Sequence, residues 1–219
     1  RFTWLRNNLY NTWIGLAGLL MVLIGGVWIA FERNLERILG FVIITEIGFN
    51  LLAISSPTGI PLIFQMILPR GLALGIWALS LTLFRRQRQG MNFSDVEGAG
   101  RNKPILTAGI LFSHFSIAGL PLLAGFPVRF SILEKLAEQS IWVATLALLG
   151  SLGVMVSALR SMAALIMGPK EQSWQITEQW QEIILIGIGI VGLLAIGIFP
   201  HLVLPFLSNG VLAFEHLAP

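Results

Sequence analysis

Five stretches of about 20 residues or more run through this chain almost without a charge, near positions 12–31, 35–55, 60–84, 141–167 and 182–204. A helix rises 1.5 Å per residue and the hydrocarbon of a bilayer is about 30 Å deep, so each stretch is long enough to cross. Only 11% of the residues are charged and 55% are hydrophobic, against about 25% charged in an average soluble domain. A water-soluble globule is therefore excluded, and the expected fold is an all-α integral membrane bundle.

A sixth crossing is interrupted. Positions 105–118 read as helix, Gly119, Pro121, Gly125 and Pro127 then break the pattern, and 128–139 resumes it. Two glycines and two prolines in nine positions do not continue a helix. The segment is expected to cross once as two half-helices, which makes about six crossings with one of them discontinuous. Arg129 stands two residues after Pro127. Unwound backbone at membrane depth survives only against protein or a water-filled cavity, and such breaks are used to build ion paths.

The ends read differently from the middle. Positions 1–11 mix Phe2, Trp4 and Tyr10 with Arg1, Arg6 and Asn7, a composition suited to an interfacial segment. Positions 12–207 form the transmembrane bundle, and 208–219 read as an amphipathic tail. The chain opens on Arg and no secretory signal pattern precedes the first apolar run, so sequence upstream of Arg1 is expected. Six crossings put Arg33, Arg37, Arg85, Arg86, Arg88, Arg101, Lys103 and Lys170 on one face, and Arg1, Arg6 and Lys135 on the other. The first face is assigned to the cytoplasm or its equivalent. Trp13, Trp142 and Trp180 fall near span ends as interfacial anchors, whereas Trp28 and Trp77 are read as packing between helices.

An Arg or Asp at the centre of a membrane helix costs about 2.5 to 3.5 kcal/mol to insert, so each ionisable residue within a span needs a reason. Glu46, near the middle of the second span, is read either as a proton-carrying carboxylate or as a tie to an arginine on another helix. Arg70 follows Pro69, which frees a carbonyl that a guanidinium or water would satisfy. His114 is the one side chain whose ordinary pKa of about 6.5 suits a proton relay, or else a hydrogen-bonded core residue. Arg129 does not release its proton and is a fixed charge rather than a carrier. Arg160 sits near the cytoplasmic end of its span, where it can snorkel. Glu134 and Glu138 are expected to be solvated near the outer surface.

Several chemistries have no support. The chain has no Cys and three dispersed His, and it shows neither a metal-ligand spacing nor a nucleophile motif. No catalytic residue, metal or cofactor is expected of it. A net charge of +3, carried in loops, speaks to topology rather than to nucleic acid.

In order, several segments resemble one family. Glu32 to Phe41 followed by Ile47, Gly48 and Phe49, then Gln65 to Leu72, then Gly119, Leu120 and Pro121 through Gly125, Phe126, Pro127, Val128, Arg129 and Phe130, then Gly150 and Ser151 through Arg160, are similar to motifs of the antiporter-like membrane subunits of respiratory complex I and of multisubunit cation/proton antiporters. The likeness runs over about residues 13–170. It implies the later of two inverted repeats, with a lysine-rich polar axis along the membrane midplane. Here Glu36 and Arg129 stand where that family carries lysine, and Glu46 and Arg70 where it carries intramembrane histidine. The resemblance implies a non-redox membrane-arm subunit of a complex I-like NADH- or ferredoxin-linked quinone oxidoreductase that contributes to proton translocation. It would work beside other membrane subunits in an energy-transducing membrane such as the bacterial inner membrane, with Glu46, Arg70, His114 and Arg129 as its polar axis. Two alternatives stay open at this level, a degenerate structural subunit that does not pump and a stand-alone secondary transporter.

Overall fold

The computed structural model describes residues 8–56, 59–86, 90–167 and 177–209. In chain order the helices are α1 (Asn8–Phe31), α2 (Leu35–Ser55), α3 (Ile60–Arg85), α4 (Phe93–Val96), α5 (Pro104–Ala118), α6 (Phe126–Gln139), α7 (Ile141–Ile166), α8 (Trp180–Ile198) and α9 (Pro200–Asn209). Five of them, α1, α2, α3, α7 and α8, have the length and apolarity to cross a membrane. The half-helices α5 and α6 supply the discontinuous crossing, and no strand forms among the described residues.

The surface shows what solvent these helices are built for. Leu16, Leu20, Ile24 and Val27 of α1 and Ile184, Ile188 and Val191 of α8 point outward, which in water would cost about 2 kcal/mol per side chain and in a bilayer costs nothing. Inside, Trp77, Phe84, Leu106, Ile110, Val154 and Ile186 join α3, α5, α7 and α8 in one core. Val22, Phe49, Leu52, Val128 and Ile132 make a second one between α1, α2 and α6. The chain is an integral membrane protein.

Polar residues at the end of the bundle that carries Arg33, Arg37 and Arg101 fasten it. Asn34 caps α2 by accepting from the backbone N–H of Glu36 at 3.0 Å and of Arg37 at 3.2 Å, and its amide donates to Asn92 at 3.1 Å. That contact draws the loop before α4 against the start of α2. Gly98, in the left-handed region at φ 67°, donates to the Ala164 carbonyl at 3.1 Å. Arg160 donates to the Ala30 carbonyl and lies 5.5 Å over the Phe93 ring, so α7, the end of α1 and the loop are tied together. Lys103 gives α5 no side-chain cap. Glu178 does so instead, accepting from Ile105 N–H at 3.2 Å and Leu106 N–H at 2.7 Å, with its negative charge at the positive end of the helix dipole.

Two boundaries and one side chain differ from the sequence reading. The last crossing stops at Ile198 and not near residue 204, because Pro200 has no N–H to continue the ladder and instead opens α9 at a first-turn position. The crossing helix α1 already begins at Asn8, so positions 8–11 of the expected interfacial segment belong to it. Trp28 faces outward rather than packing between helices. Trp77 is fully buried, and Trp13, Trp142 and Trp180 are exposed, as interfacial anchors are. The start of the interfacial segment, most of the amphipathic tail, Arg88 and Lys170 lie outside the described residues.

Candidate functional site

The break in the sixth crossing is held open by backbone chemistry. Gly119 turns left-handed at φ 84° and ends α5, its N–H donating to the Ser116 carbonyl at 3.1 Å while Leu120 N–H donates to Phe115 at 3.0 Å. Residues 119–125 stay unwound and include Pro121. Pro127 falls in the first turn of α6, where a missing N–H costs nothing. Gly125 N–H donates to Ser116 Oγ at 3.1 Å, and a Cβ on Gly125 would run into the Ser116 carbonyl. The two half-helices therefore meet through glycine and serine.

Among the described residues, strain is visible at one. Leu122 has φ 73°, a left-handed conformation that costs a residue with a Cβ about 1 to 2 kcal/mol. Its carbonyl and that of Leu123 lie against Gly197 of α8, closer than any Cβ would permit. α8 thus backs the unwound segment, while the Leu122 side chain is 69% exposed.

The first turn of α6 aims Arg129 across the break. A Cβ on Gly119 would sit 3.0 Å from Arg129 Cδ, so the glycine makes room for the arginine stem. Arg129 Nη2 donates to Glu46 Oε1, Nη1 donates to Ser151 Oγ at 3.2 Å, and the guanidinium lies 4.3 Å over the Phe49 ring. The other carboxylate oxygen of Glu46 accepts from Arg70 Nε at 2.8 Å. Arg70 Nη1 donates to Asn50 Oδ1 at 2.7 Å and Nη2 to Met66 Sδ at 2.7 Å. One carboxylate from α2 is clamped between a guanidinium from α3 and another from α6. The side chains of Glu46 and Arg129 are only 3% and 4% exposed, and that of Arg70 15%. Beside them is a cavity of about 10 Å³ lined by Glu46, Arg70, Ser116, Gly125 and Arg129 among others, room for about one water molecule.

Three of the four residues expected to form a polar axis meet in this cluster. His114 does not. It is fully buried on α5, with its ring 4.3 Å from that of Trp77 and directed toward the Val154 backbone, and neither ring nitrogen completes a hydrogen bond of ordinary geometry among the described residues. Asn50, Ser151, Met66 and Phe49 were not expected as partners. A signal existed for Asn50, which is one helical turn beyond Glu46 on the same face of α2. Pro69 leaves α3 continuous, and Arg70 turns to Glu46 and Asn50. Glu138 pairs with Lys135 at 2.8 Å on the exposed surface of α6, as expected of a solvated pair. No group of side chains suited to holding a metal ion occurs among the described residues.

A family model described as NADH:quinone oxidoreductase/Mrp antiporter, TM matches residues 2–157. Among curated relatives, NADH-quinone oxidoreductase subunit N of Thioalkalivibrio sulfidiphilus is 24% identical over 210 residues, covering 93% of this chain and 44% of that protein. Among solved structures, a chain of respiratory complex I from Thermus thermophilus superposes with a TM-score of 0.77 at 22% identity, covering 90% of this chain and 43% of that one. A chain of the Mrp complex from a Dietzia species superposes at 0.81 with 17% identity, covering 92% and 46%. The chain spans less than half the length of the relatives it matches. With the family match running over most of its length and a broken, charge-bearing crossing in its middle, this chain belongs to the NADH:quinone oxidoreductase/Mrp antiporter transmembrane family.

Proposed function

We propose that this chain is the second-repeat-like part of a non-redox membrane-arm subunit in a complex I-like NADH- or ferredoxin-linked quinone oxidoreductase of a bacterial inner membrane, and that it contributes to proton translocation there. The observation that carries the reading is the clamp of Glu46 between Arg70 and Arg129 at the broken crossing. Arginine does not give up its proton in proteins, so within this cluster Glu46 is the group able to exchange one. The two cations set the field around it. Other membrane subunits, as in the complexes named for its relatives, would complete the path on either side.

A route toward the cytoplasmic face has the chemistry a proton needs. Ser113 and His114 on α5, Ser157 and Ser161 on α7, and Ser80 on α3 are buried; the hydroxyls have no protein partner among the described residues, and His114 is directed toward the Val154 backbone. Buried hydroxyls without a protein partner pair with internal water. Ser80, Ser157 and Ser161 stand on the halves of α3 and α7 that lead to the positively charged loops, and Ser113 and His114 on the half of α5 next to the break. In this reading His114 is a relay station in the column and not a member of the charged cluster.

The test is proton pumping by the assembled complex. Glu46→Gln should lower the number of protons moved per quinone reduced, measured per intact complex in sealed vesicles. An unchanged ratio would assign the chain a filling, structural place in the assembly instead.

A further inference from the structure

We infer that the outer flank of α2 and α3 beside Arg70 is a docking surface for a transmembrane helix that brings an Asp or Glu carboxylate to mid-membrane depth. Arg70 is the eleventh residue of α3, which places it about 15 Å from the start of that helix, halfway through a hydrocarbon layer of about 30 Å. At that depth the cluster holds two guanidiniums against one carboxylate, leaving one positive charge without a counter-ion among the described residues. An arginine in hydrocarbon is driven to find one.

Arg70 also has donors to spare. Of the five N–H groups of a guanidinium, one goes to Glu46, one to Asn50 and one to the thioether of Met66, and sulfur is a weak acceptor. Two remain. The side chain is 15% exposed, so this flank is not sealed by the described residues. A carboxylate satisfies both the charge and the paired donors, since the planar guanidinium fork matches its two oxygens. A backbone carbonyl or hydroxyl would answer only the donors.

The surface next to Arg70 has the relief that helix docking uses. Ile67, Gly71, Gly75 and Ala78 follow one another along the exposed side of α3, and a Cβ built on Gly71 or Gly75 meets nothing within 4 Å. Small residues four apart let a second helix backbone approach closely. On the neighbouring helix α2, Ile43 and Ile47 are exposed and would form the other wall of the docking site. The outward faces of α1 and α8 carry mainly bulky apolar side chains, as acyl chains require. A second copy of this chain does not fit as the partner, because its carboxylate at this depth, Glu46, is already held by two arginines.

The inference stands whether or not protons move through the cluster, and its test does not read pumping. In the complex assembled in native membranes, a benzophenone side chain would be placed at Ala78, with Ile188 on α8 as the control position, and cross-linked by light. The expected product at Ala78 is a peptide from a transmembrane helix with an Asp or Glu within about one turn of the depth of Arg70; at Ile188 it is phospholipid. Gly75→Leu should reduce recovery of that helix with the chain about tenfold, whereas Gly187→Leu, at a similarly open glycine on α8, should not. Reversing the partner's acid to Arg in an Arg70→Glu background should restore recovery lost in Arg70→Glu alone. Phospholipid adducts at Ala78, a second copy of this chain, or a helix lacking an acidic residue at that depth would overturn the proposal.

Discussion

Replacing Glu46 with Gln keeps the shape of the cluster and removes its one negative charge. Wild type buries two guanidiniums and a carboxylate within side chains that are 3% to 15% exposed. The variant leaves both cations in the same dry space, and one of them faces an amide that donates where a carboxylate oxygen accepted. Removing one member of a buried ion pair costs about 3 to 5 kcal/mol, or about two to three and a half decades in a folding or assembly equilibrium. The magnitude is checked by a cycle with Arg129→Gln. The double variant again holds one positive charge, as the wild type does, and its Gln side chains can hydrogen-bond to each other. The two substitutions should therefore be less costly together than the sum of the singles, by at least about 2 kcal/mol. The assay is the thermal midpoint and yield of the complex in one detergent, with all four members side by side. Additive effects, or a loss below about 1 kcal/mol for Glu46→Gln, would refute the picture of a dry cluster in which one carboxylate offsets part of the charge of two buried cations.

Two further outcomes follow from the geometry. Glu178→Ala removes the acceptor shared by two N–H groups at the start of α5 and should cost about 1 to 2 kcal/mol, read as a lowered thermal midpoint; an unchanged midpoint would mean that water caps α5 equally well. Leu122→Gly should be neutral or stabilising by up to about 1 kcal/mol because its φ of 73° suits glycine, whereas Gly197→Leu should displace the unwound segment and raise thiol labelling of a Leu123→Cys reporter, at a buried position, by about tenfold or more; unchanged labelling would show that α8 does not brace the break.

The features legible in the sequence are those whose physics is local. Membrane depth fixes a minimum apolar length, so α1, α2, α3, α7 and α8 could be placed from composition alone, and the glycines and prolines around Leu120 announced the broken crossing because they lack what a helix needs. Charge in an apolar run is equally local, and it marked Glu46, Arg70 and Arg129 one by one. Their meeting was not legible. Glu46 and Arg129 lie 83 positions apart, and only the packing of α2 against α3 and α6 makes one carboxylate serve two arginines. Glu178 capping a helix 73 positions away carries no periodic signal at all. His114 looked like a member of the axis because an imidazole in a span is rare, yet its place on α5 turns it toward Trp77. The split of the last crossing at Pro200 was written in the sequence and was masked by the apolar residues on both sides of it.

The central claim is that a carboxylate able to exchange a proton sits between two fixed charges at a break in the membrane. A charge-compensated variant isolates it. Glu46→Gln with Arg129→Gln keeps one net positive charge in the cluster, on Arg70, and removes the exchangeable group. In sealed vesicles the assembled complex carrying both substitutions should move fewer protons per quinone reduced than wild type, and a ratio equal to wild type would contradict the account.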